Sequence, residues 1–159
     1  MPELPLTSFE NVPKRPSLAL SILQNKCSRC RRGPMFKDPN PYHLRRVLDM
    51  NDQCPVCGQS LDIEVGFYYG TSYVSYALSI AVSASTFVAW WVLIGISADD
   101  NRIFYWLGLD ILLLVVLQPL FMRWARAAWL AFFVHYDPHW PTNPPKPPER
   151  DNAALKDAW

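Results

Sequence analysis

No side chain between Glu64 and Asp99 carries a charge, and from Ile103 to Met122 only Asp110 interrupts a second apolar run. A helix needs about 20 apolar residues to cross a hydrocarbon layer of roughly 30 Å. The pattern therefore predicts two spans, one over about 73–97 and one from 103 onward. The first run begins after more than 60 residues and is too long for the core of a removable leader, so it reads as a retained span. Residues 98–102 leave room only for a tight turn, which makes the pair an antiparallel hairpin, with Asp100 or Asn101 placed to cap the second helix.

Beyond Arg123 the chain stays apolar through Trp124, Trp129, Leu130, Phe132 and Phe133. One straight helix from Ile103 to Tyr136 would be about 50 Å long, more than the hydrocarbon core. Pro119 can bend it. Arg123 and Arg126 are expected to snorkel to lipid headgroups while Trp124 and Trp129 sit at the interface. Residues 123–136 are thus expected to form an interfacial helix, with a third crossing as the alternative. The predicted fold is a membrane α-helical hairpin, two spans plus that interfacial helix, carrying a small N-terminal cytoplasmic head.

The polar chain divides around this hairpin. Residues 1–26 form an arm with Pro2, Pro5, Pro13 and Pro16, and 17–24 could make one short docking helix. Residues 27–65 hold all four cysteines in a compact head, and 66–136 form the hairpin with its trailing helix. Residues 137–159, with prolines at 138, 141, 144, 145, 147 and 148, form a tail of extended polyproline type. No internal repeat is visible.

Composition adds little to the pattern, because 15 Lys and Arg nearly balance 14 Asp and Glu. That balance argues against a global nucleic-acid or acidic-substrate partner. The placement of the basic residues says more. Nine precede the first span, five follow the second, and the turn holds only Arg102, so both termini are expected in the cytoplasm.

The head is then in a reducing compartment, where disulfides are improbable. Cys27-Ser-Arg-Cys30 and Cys54-Pro-Val-Cys57 are two knuckles, and a two-residue spacer lets both thiolates of a pair face one ion. Two pairs complete a closed tetrahedron, which makes Cys27, Cys30, Cys54 and Cys57 a structural zinc site with no open catalytic position. Gly58 suits the turn after the second pair. A rubredoxin-like iron site, or a dithiol site passing metal or electrons, is the rival; Arg31, where a second glycine would be expected, weighs against iron. A head of about 40 residues needs such a staple, and Phe36, Tyr42, Leu44, Val47 and Leu48 are its expected core. Arg29, Arg31, Arg32 and Lys37 crowd the first knuckle, where lipid contact or plain solvation is preferred over nucleic acid. His135 and His139 are four apart, but Pro138 breaks the helical geometry of a metal pair. No nucleophile triad, phosphate loop or carboxylate dyad is present, so a non-enzymatic protein without a small-molecule substrate is expected.

In the first span Ala77, Ala81, Ser85 and Ala89 recur every four residues, beside a row of Ser75, Ser79 and Ser83. Small residues on one face allow close helix approach. Together with Gly66 and Gly70 of the aromatic linker they are candidate contacts for a second membrane protein or complex. Asp110 lies inside the second span, where a carboxylate is costly unless paired. It is expected to accept from a serine or from Trp90 of the first helix; a proton relay is the rival role.

The run Asn40-Pro41-Tyr42, then Cys54-Pro55-Val56-Cys57-Gly58, Gly66-Phe67-Tyr68-Tyr69-Gly70 and Tyr73-Val74-Ser75-Tyr76-Ala77 resembles the bacterial domain of unknown function 983, in its Bacteroidetes-like form. The likeness covers about residues 25–135. It implies a ribbon and hairpin in the bacterial inner membrane but no activity. Some members are encoded beside haem–copper oxidase genes, so the resemblance also implies a respiratory accessory or assembly role.

Overall fold

The computed structural model describes residues 16–64, 66–95 and 101–147. The N-terminal arm before Pro16, the turn with Asp100, and the tail beyond 147 lie outside the described residues. Three helices organise the rest: α1 over Leu18–Leu23, α2 over Thr71–Leu93 and α3 over Arg102–Phe133. Ser17 caps α1 by accepting from the Leu20 N–H, which satisfies one of the free donors at the helix start. Asn101 occupies the cap position of α3, but its side chain makes no capping bond.

α2 and α3 pack antiparallel. Ser83 and Thr86 meet Asp110 midway, and Gly70 at the start of α2 meets Trp129 near the end of α3. Both helices are long and apolar enough to cross a membrane, and little or none of their apolar surface is buried. Val92, Leu93, Phe104 and Val115 are each more than two-thirds exposed.

α3 does not break at Pro119 or at Arg123. It continues as one helix of 32 residues, against 23 for α2. The difference is about 13 Å of extra helix at 1.5 Å per residue. This overhang is a stalk. Ala127 and Leu130 from it, and Val134 just after it, share one buried cluster with Cys27, Cys30, Met35, Phe36, Cys54 and Leu61. The cysteine head is therefore built onto the end of α3 and has no separate core. Tyr42 and Leu44, expected inside the head, are exposed, at 50% and 70%.

The arginines of the stalk also differ from expectation. Arg123 is 1% exposed and points into the head, where its guanidinium donates to the carbonyls of Val47, Asp38, Pro39 and Asn40. Arg126 donates to the Leu48 carbonyl. Trp124 donates to the Leu23 carbonyl, which ties α1 to the stalk, and Trp129 to that of Phe67. A loop with unpaired carbonyls offers a guanidinium more than lipid does, because charge-assisted bonds in a shielded site are the strong ones.

The segment after Asp137 was expected to run in extended polyproline form. Residues 138–143 instead turn, with Asp137 accepting from the His139 N–H and from the Asn143 amide. The chain then returns across the head.

Candidate metal centre

Each knuckle is shaped by the same backbone device. The Arg31 N–H bonds to the Cys27 carbonyl and the Gly58 N–H to the Cys54 carbonyl, at 2.7 and 2.9 Å. Both residues after the knuckles are left-handed, Arg31 at φ 56 and Gly58 at φ 68. Glycine takes this conformation freely, and arginine does so at a cost. Arg31 is held there from both ends of the chain: it donates to the Pro16 carbonyl and lies 4.7 Å over the Tyr136 ring.

The turns bring four reduced thiols together. Cys27 and Cys57 sulfurs are 3.8 Å apart, Cys30 and Cys54 sulfurs 3.7 Å apart, and all four lie within 4.8 Å of one another. A disulfide would need about 2.05 Å. A tetrahedron with metal–sulfur bonds of about 2.3 Å has edges of about 3.8 Å. The donor set thus fits one tetrahedral ion, and a thiolate-binding metal such as zinc would be held by these four residues. Cys27, Cys30 and Cys54 are buried and Cys57 is partly open.

The sequence reading passed over Gly33. Its amide lies 3.5 Å from the Cys30 sulfur, and a Cβ there would stand 2.3 Å from the Cys54 sulfur. Without a bound ion the thiols share protons unequally. Hydrogen bonding with Cys27 pulls Cys30 down strongly and Cys54 down to about 6, while Cys27 itself is pushed up, first by its bond to Cys30. Cys57 is pushed up as well, so the cluster retains protons that a bound cation would displace.

Of the basic residues at the first knuckle, Arg29 and Arg31 are buried in the fold, while Arg32 and Lys37 stay exposed as expected of solvated side chains. Arg29, 4% exposed, donates to the Cys57 carbonyl and, on the returning chain, to Asn143, Pro144 and Asp137. The Gln59 side chain exchanges two bonds with the backbone of Lys146. Residues 137–147 are therefore a strap over the second knuckle. His43, alone in sequence, pairs with Asp38 at 2.6 Å and holds that carboxyl below its ordinary range. His139 and His135 are exposed, and neither joins the thiol cluster.

The remaining candidates fall on two faces. Ala77, Ala81, Ser85 and Ala89 point outward, while Ser75, Ser79 and Ser83 lie on the half-buried side toward α3. Gly70 does serve close approach, but the visitor is this chain's own Trp129: a Cβ would come within 2.1 Å of its ring. Gly66, at φ 80, starts the 3-10 turn of residues 67–70. Asp110 is 6% exposed and accepts from Ser83 at 2.7 Å and Thr86 at 2.9 Å. The serine expectation is met; Trp90 is not its partner, and that indole N–H is buried with no hydrogen bond among the described residues.

The family model described as Protein of unknown function (DUF983) matches residues 44–133, more than half of the chain, and the chain belongs to that family. The match takes in the second knuckle and both long helices and leaves Cys27 and Cys30 outside it. No curated protein and no solved structure matches the chain.

Proposed function

We propose, proceeding from membership of the DUF983 family, that this chain is a non-enzymatic accessory or assembly factor of a membrane complex. Its two long helices span the bacterial inner membrane, with both termini and the head on the cytoplasmic side. The unburied apolar surface of α2 and α3 supports the membrane assignment, since water would not tolerate it. The excess of basic residues on the head side supports the orientation.

One observation carries the role. The four thiols form a closed donor set inside a core shared with the end of α3. Such a site staples a head rigidly to a span and leaves no coordination position for a substrate, which suits a structural zinc. The exposed Ala77, Ala81 and Ser85 face away from α3, Ala89 lies at the edge of the α2–α3 contact near Trp106 and Leu109, and the row fits a partner's transmembrane helix. The family resemblance puts haem–copper oxidases first among the complexes to probe.

Photo-crosslinkers at Ala81 and Ser85 in native membranes test this reading. The expected result is capture of one membrane protein, lost when Ala81→Leu and Ser85→Leu are combined, with one zinc per chain retained. Capture of lipid alone defeats the accessory role. Stoichiometric iron would favour the electron-transfer alternative.

A further inference from the structure

The head touches α3 in a fixed order along the helix. Ala127, Leu130 and Val134 share the core with the cysteines. Nearer the spans, Arg126 meets Leu48 and Met50, and Arg123 then meets Asp38, Pro39, Asn40 and Val47. A loop that leaves the core at the bridged pair Phe36 and Met50 therefore runs down α3 toward the membrane. Arg123 stands 20 residues after Ile103, about 30 Å along the helix, which is the depth of the hydrocarbon layer. The neck of the loop is thus fixed at the edge of that layer, and its tip is residues 41–46.

The tip is exposed but not polar throughout. Leu44 and Tyr42, expected in a core, face outward, and Arg45 and Arg46 beside them are exposed as well. Neither arginine forms an ion pair or a side-chain hydrogen bond among the described residues. The neighbouring acids do not answer them, since Asp38 is paired with His43 at 2.6 Å and Asp49 with Lys37 at 2.9 Å. The tip is also shaped by its own bonds: the Tyr42 N–H donates to the Asn40 side chain and the Arg46 N–H to the His43 carbonyl. A second element reaches the same height, because Trp124 holds the Leu23 carbonyl of α1, where Leu20 and Leu23 are about half exposed.

We propose that the loop tip is a membrane-surface anchor for anionic phospholipid of the phosphatidylglycerol type, Tyr42 and Leu44 entering the interface and Arg45 and Arg46 binding phosphate. The inference rests on the membrane reading above. An aromatic ring and an aliphatic side chain flanked by arginines match the boundary between acyl chains and headgroups. The charge selects the lipid. In phosphatidylcholine the phosphate is offset by the headgroup's own cation, whereas in phosphatidylglycerol it is left for the two arginines. An acidic protein or a nucleic acid would answer the arginines but leave Leu44 without an apolar counterpart. Arg123, by holding the neck, sets the depth at which the tip meets the bilayer.

The test uses the full-length, zinc-loaded protein in phosphatidylcholine vesicles with and without phosphatidylglycerol. A diazirine side chain in place of Leu44 is expected to label phospholipid. The same group in place of Arg32, whose guanidinium lies over Trp140 beyond the end of α3, should label none. Combining Arg45→Gln with Arg46→Gln should lower the ratio of phosphatidylglycerol to phosphatidylcholine adducts by about fivefold for each arginine. Zinc content should stay unchanged, and Arg45→Lys with Arg46→Lys should keep the wild-type ratio. Absence of lipid adducts at position 44 in protein that floats with the vesicles overturns the proposal. So does an equal ratio in the wild type and the double Gln variant, or capture at position 44 of a protein or nucleic acid in place of lipid in native membranes. Failure of the membrane reading is seen separately, as protein that does not float with the vesicles.

Discussion

At the scale of single residues, the ligands and the residues that position them differ in how they can be recognised. The cysteines announce themselves by spacing. Gly33 does not, since its importance is a contact with the Cys54 sulfur on the other knuckle. Cys54→Ser should cost most of the metal affinity, because three thiolates leave an open, weaker site. Gly33→Ala should lower metal content as well without altering any ligand, and elemental analysis of the two purified variants checks both. Arg123 is a second such case. It reads as a snorkelling residue because Arg next to an apolar run ordinarily reaches water, yet four carbonyls of a loop some 80 positions earlier claim it. Arg123→Leu leaves those carbonyls without their donor and should destabilise the head by about 3 kcal/mol. Arg123→Lys should recover only part of that, since an ammonium cannot serve such a fan of acceptors. Thermal unfolding followed through metal release measures both.

At the scale of elements, the runs without charge located α2 and α3 but not the length of α3. The extra turns are apolar on the face that meets the head, so hydropathy alone does not separate stalk from span. Asp110 belongs to this scale, because its partners come from the opposite helix. Thr86 also donates to the Ser83 carbonyl, so its hydroxyl has an alternative bond if the carboxylate is removed. The carboxylate has no such alternative. Ser83→Ala combined with Thr86→Val should therefore lower the melting temperature of the detergent-solubilised hairpin more than Asp110→Leu does. Equal losses would mean that the hydroxyls, and not the carboxylate, set the cost.

At the scale of the whole molecule, thiol cluster, head, stalk and strap form one unit. The buried cluster includes Cys27, Cys30 and Cys54 together with Ala127, Leu130 and Val134. Chelation should therefore loosen the head from α3 as well as unfold the knuckles, while α2 and α3 stay paired through contacts far from the site. The expected signature is altered emission from Trp124, Trp129 and Trp140 with helical circular dichroism largely kept; loss of both together would contradict it. Acid should act in the same direction, because thiols that regain protons release the ion. A chain ending at Pro138 lacks the carbonyls of Asn143 and Pro144 that Arg29 holds. It should bind zinc but exchange it faster, as a competition assay with a coloured chelator would show.

The sequence by itself determined the two apolar helices, their antiparallel return and the four metal-ligand candidates, and it narrowed the partner of Asp110 to a serine or Trp90. Each rests on local chemistry or on a short-range period: runs without charge, a two-residue cysteine spacer, a turn too short to cross. Only the tertiary structure decided that the head has no core of its own, that Arg123 faces protein, that Gly70 receives Trp129, and that the proline-rich segment straps the second knuckle. Those outcomes depend on contacts between positions up to 115 apart, such as Arg29 with Pro144. Composition and periodicity describe what a side chain prefers. Which distant carbonyl, ring or sulfur it meets is set when the chain closes on itself.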